Sequence, residues 1–136
     1  MLSREEGFTL IELLVVLIII GLLAAIAIAA FANQQNKAHD ADAKVAARSA
    51  QTAMETYYID HKTYSGATVA ELQDVQTSLK DAPNLTVSQA NQTQYQVEVT
   101  SVSTQPVTFT VSRATNGTIT RSCAPTNTGG CKSGSW

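Results

Sequence analysis

The apolar and polar positions change their rule twice along the chain. From Leu13 to Ala32 there is no period at all: 20 uncharged residues, apolar except for Gly21. A helix of that length rises about 30 Å, the thickness of a bilayer hydrocarbon core. Being apolar on every side, it predicts a membrane segment. From Asn33 the chain turns polar but keeps a helical period. Ala43, Ala47, Ala50, Met54 and Tyr57 recur at steps of four, three, four and three, which places them on one helix face. Lys44, Arg48, Glu55 and Lys62 lie mostly off that stripe. Neither Pro nor Gly occurs between Leu22 and Tyr64. The pattern predicts one continuous helix from about Phe8 to about His61, half membrane-spanning and half amphipathic. The alternative is a break near Asn33 to Asn36. "TYSG", Thr63 to Gly66, supplies the stop.

Beyond it the period becomes two. Thr68 with Glu71 three residues on is a capping-box pattern and predicts a short second helix, and "DAPN" (81–84) predicts a turn. "YQVEVTSV" (95–102) alternates Tyr95, Val97 and Val99; "VTFTVSR" (107–113) alternates Val107, Phe109 and Val111; "GTITRSC" (117–123) carries Ile119. Asn116-Gly117 signals a type I′ hairpin. The expectation is an α+β fold: a long N-terminal helix packed on a small antiparallel sheet of three or four strands. The domains run 1–7, a polar leader; 8–32, a transmembrane helix; and 33–136, a globular head. Within the head the helix continues over 33–61, the sheet covers about 94–123, and a tail is closed over 123–131.

Charge and composition narrow the classes. The net charge is −2 and the pI about 5.6, so composition gives no sign of nucleic-acid binding by a strongly basic surface. Two cysteines, Cys123 and Cys131, follow a membrane-targeting N-terminus. They read as one disulfide in an oxidising, extracytoplasmic compartment, the alternative being two free thiols. No histidine lies near them in sequence to complete a zinc shell. His39 with Asp40 and Asp42 is two ligands at best on one helix face, and a solvated face explains it. His61 beside Asp60 is equally plain. No nucleophile–base pair, phosphate loop or paired carboxylates stands out; neither enzyme nor cofactor is expected. Asn84, Asn91 and Asn116 each begin an Asn-x-Thr triplet, as chance allows in a chain rich in Asn and Thr.

The remaining puzzle is Glu12, at the start of the apolar run. A secretory signal would have a basic start and a shorter apolar stretch, and a plain anchor helix gives no reason for a carboxylate. Such a charge costs about 2–3 kcal/mol or more toward the bilayer centre and by default marks a function. Helix on helix, an unpaired Glu12 would be expensive, whereas one matched to an opposite charge is compensated. Such a pair fixes axial register among helices that are otherwise Leu, Val, Ile and Ala all round.

The residues "EEGFTLIELLVVLIIIGLLAAIAI" resemble the prepilin N-terminus shared by type IV pilins and type II secretion pseudopilins. The resemblance is close over roughly the first 30 residues and architectural beyond. It implies cleavage between Gly7 and Phe8 by a membrane prepilin peptidase on the cytoplasmic side, then methylation of the Phe8 amine. The subunit would wait as a single-pass inner-membrane protein with its head outside. An assembly platform and ATPase would then draw it into a helical homopolymer at the cell surface, with Glu12 facing the Phe8 ammonium of a neighbour. A C-terminal disulfide loop also fits pilins. The chain has Ala29 where many members carry Pro, leaving Gly21 as the weak point of the helix, and Glu5 and Glu6 make its leader less basic than usual. The expected function is thus a filament subunit. The alternatives are a pseudopilin of a secretion or DNA-uptake system and a non-polymerising anchored binding protein.

Overall fold

A computed structural model describes residues 7–136. Arg4, Glu5, Glu6 and the rest of the expected leader before Gly7 lie outside the described residues. The elements are α1 (Leu10–His61), α2 (Val69–Val75), a 3₁₀ turn (Thr77–Asp81), and strands β1 (Leu85–Ala90), β2 (Tyr95–Thr100), β3 (Thr108–Arg113) and β4 (Ile119–Ala124). The chain divides into two compact units at Gln34/Gln35.

The first unit is the apolar half of α1. Every large hydrophobic side chain from Phe8 to Phe31 is exposed, and the helix is long and apolar enough to cross a membrane. No break occurs at Asn33 to Asn36, which are helical throughout.

In the second unit the polar half of α1 lies on an antiparallel sheet of order β1-β2-β3-β4. The face Ala43, Ala47, Ala50, Ala53, Met54 and Tyr57 is buried. Opposite them are Tyr95, Val97 and Val99 of β2 and Phe109 and Val111 of β3, all buried. Registers Val97↔Val111 and Val99↔Phe109 set these rows side by side, as a period of two requires. Leu72 and Leu79, from α2 and the 3₁₀ turn, are buried in the same core. Thr68 caps α2, its side chain accepting the Glu71 N–H. α1 ends where Lys62 takes φ +60° and its N–H returns to the Tyr58 carbonyl at 2.8 Å, one residue before the expected stop.

Three details differ from the sequence reading. The fourth strand is β1, upstream of the expected sheet. It has only Leu85, Val87 and Ala90 for an inner face, and a register shift between Val87 and Gln89 interrupts their alternation. The 3₁₀ turn between α2 and β1 was not foreseen. The β3–β4 connection is a hairpin but not type I′, because of Asn116 and Gly117 only Gly117 has positive φ (+85°). The Gly117 N–H bonds to the Ala114 carbonyl at 2.9 Å, a turn closed by a left-handed glycine.

Candidate functional site

Gly7 and Phe8 precede α1 as exposed, non-helical backbone. Thr9 and Glu12 form a reciprocal cap on the first turn. The Glu12 carboxylate accepts the Thr9 N–H at 3.0 Å and the Thr9 hydroxyl at 2.8 Å, while the Glu12 N–H donates to Thr9 Oγ1 at 3.3 Å. This is the Thr-x-x-Glu capping box, legible in "TLIE" and missed there. Glu12 therefore has a partner on its own chain. Phe8, Ile11, Glu12, Val15 and Val16 line one shallow, almost wholly apolar concavity.

In the head, Cys123 on β4 is bonded to Cys131, and the tail turns back onto α1. Its fixing point is Asp40, which is 2% exposed and which sequence reasoning had left on a solvated face. Asp40 Oδ2 accepts the Gly130 N–H at 2.7 Å; Oδ1 is buried with no partner among the described residues. A Cβ on Gly129, whose φ is +49°, would run into this carboxylate. His39 and Asp42, by contrast, share a groove of about 370 Å³ on the other flank of α1, with Val45, Asp81 and Val102. Asp40 is not part of it.

The tail brings cations together. Lys37, Lys44 and Lys132 line a cavity of about 430 Å³ with Asp40, Gly129 and Gly130. Lys37, Lys44 and Arg48 stand at steps of seven and four, on one flank of α1. Arg48 and Arg121 both lie over the Trp136 ring, and Arg121 Nη2 donates to Gln51 Oε1 at 2.8 Å. Five of the nine Lys and Arg residues thus share one side of the head, a clustering that a net charge of −2 conceals.

A second polar cluster ties α1 to the sheet. Glu55 accepts from the Tyr64 hydroxyl at 2.9 Å and from the Tyr95 hydroxyl at 3.1 Å, with Arg113 Nη1 at 3.6 Å. Burial, then the Glu55 carboxylate, pushes both phenols well above their ordinary range.

Comparison with known proteins agrees with this geometry. Residues 2–28 match a family described as "Prokaryotic N-terminal methylation motif". Residues 29–127 match one described as "Type IV minor pilin ComP, DNA uptake sequence receptor". The fimbrial protein of Neisseria meningitidis serogroup B is 36% identical over 64 residues, which is 47% of this chain and 38% of that one. The type IV major pilin PilA of Myxococcus xanthus is 42% identical over 62 residues, 46% and 28% respectively. PilE1 of Neisseria gonorrhoeae is 38% identical over 59 residues, 43% and 36%. The matched segment spans well under half the length of these relatives. No solved structure gave a significant match.

Proposed function

The chain belongs to the type IV pilins, in the family described as the minor pilin ComP, and from that premise we propose that it is a filament subunit whose head contacts DNA during uptake. The observation that carries the DNA reading is the cationic flank of the head: Lys37, Lys44, Arg48, Arg121 and Lys132. Such a flank neutralises phosphates, and each contact contributes about 0.9 to the slope of log K against log salt. Electrostatic attraction of this kind is independent of sequence, so base discrimination would come from other residues.

Processing and assembly form the other half of the reading. The sites are cleavage between Gly7 and Phe8 by a prepilin peptidase and methylation of Phe8. The exposed apolar half of α1 supports membrane residence before assembly and helix-on-helix packing within the filament, brought about by an assembly platform and ATPase. Glu12 sets the register there by exchanging its own cap for the Phe8 ammonium of a neighbour.

Two experiments test this. Full-length chain in detergent should bind short duplex DNA with a steep salt dependence, and K37A/K44A/K132A should flatten it by about 3 in slope. Absence of binding by the unaltered chain overturns the DNA reading. In cells, Glu12→Ala should leave the subunit in the membrane and out of filaments; incorporation at the normal level overturns the register role.

A further inference from the structure

Trp136 is the single tryptophan of the chain and stands where the tail, β4 and α1 meet. Its indole N–H donates to the Ser122 carbonyl at 2.8 Å, and its ring packs perpendicular to that of Phe109 with centroids 5.6 Å apart. The Arg48 guanidinium lies 5.6 Å from the ring centroid and that of Arg121 lies 5.8 Å from it. These two cations come from different elements, and both residues are exposed. Neither forms an ion pair with a carboxylate among the described residues. Long cationic side chains of like sign would otherwise spread apart in water. Here the ring attracts both through its quadrupole, and Gln51 holds Arg121 from the α1 side.

We infer that Trp136 is a positioning residue that aligns Arg48 and Arg121 as a paired clamp for the phosphodiester oxygens of a DNA backbone. This rests on the DNA reading above. A guanidinium presents a planar fork of N–H donors suited to phosphate oxygens; placing it over an indole leaves the donors of Arg48 free and, on Arg121, those that Gln51 does not take. The indole is not proposed as a base-stacking platform: its N–H is committed to Ser122, it packs perpendicular to Phe109, and both guanidiniums lie over its ring. The clamp therefore reads backbone and charge, not sequence. It also ties DNA affinity to the tail that carries Trp136.

The test uses the full-length chain in detergent micelles with two short duplexes of unrelated sequence. Trp136→Ala is expected to weaken both duplexes by the same factor, about fivefold, and to lower the salt slope by about 1 to 2. Trp136→Phe keeps an aromatic face and should recover most of the loss. In an R48A/R121A background, removing Trp136 should cost nothing further. Thermal melts of each variant separate lost folding from lost alignment. The inference is overturned if Trp136→Ala leaves the salt slope unchanged. It is equally overturned if that variant affects one duplex far more than the other, or still weakens binding without the two arginines. Those outcomes leave the DNA reading standing, whereas an unaltered chain that binds neither duplex removes both.

Discussion

Asp40 shows how a single side chain can be misplaced by a helical wheel that knows only its own helix. Its position beside His39 and Asp42 marks it as solvated, and nothing local says that a tail 90 residues away will cover it. Its worth lies in one short bond to Gly130 N–H. Asp40→Ala leaves that donor without an acceptor and is expected to lower head stability by about 1–3 kcal/mol, measured by urea denaturation. Tyr64 and Tyr95 give a pH dependence of definite sign. Both are fully buried or nearly so and both phenols titrate above their ordinary range, near 10, when folded. In the unfolded chain they lose their protons earlier. Head stability is therefore full below that range and falls as pH rises beyond it, by on the order of 1 kcal/mol per pH unit for each phenol. Tyr95→Phe should shallow the decline, read from melting temperature against pH between about 9 and 11.

At the scale of elements, what could be read was what obeys a period. The stripe from Ala43 to Tyr57 and the rows of β2 and β3 were legible because each buries one face against the other, and burial writes itself as spacing. Edge strand β1 was hidden because its bulge interrupts the alternation after Val87 and because a strand paired on one side needs few apolar residues. The tail was legible only as a cysteine pair; which surface it covers depends on Gly129 and Gly130 fitting against Asp40, a match of shape with no local signature. The cationic flank was hidden for the same reason, since Arg121 and Lys132 reach Arg48 and Lys44 only through the fold. The bridge itself closes a loop with a sequence separation of 8. Replacing both cysteines by serine is expected to cost about 2–3 kcal/mol. If the tail depends on the bridge for its seat on α1, Trp136 emission should move to longer wavelength in the same variant at temperatures where the rest of the head remains folded.

At the scale of the whole molecule, the two compact units differ in kind. The head has a core fed by α1, α2, the 3₁₀ turn and three of the four strands. The unit ending at Gln34 buries none of its large apolar side chains. A fragment beginning at Gln35 is therefore expected to unfold in one cooperative transition, with coincident near- and far-UV circular dichroism. Non-coincident transitions would show that the head draws stability from the apolar segment. The membership in the type IV pilins and the α+β plan were both legible early, the first from a dense run of residues and the second from two periods. The cationic flank emerged only from the folded chain.

The cap between Thr9 and Glu12 bears on how a subunit could tell a correct neighbour from an incorrect one. The carboxylate is never empty-handed: it holds two donors of Thr9 whenever nothing better is offered. In the proposed pairing with a neighbour's Phe8 ammonium, the amine would have to outbid those bonds, so only the difference between the two partners would favour the new contact. A neighbour displaced by one helical turn offers no amine, and the carboxylate simply stays at home. On the register role proposed for Glu12, misaligned encounters would gain nothing from it and come apart while aligned ones would be held, so a small net energy would act as an error check on each addition.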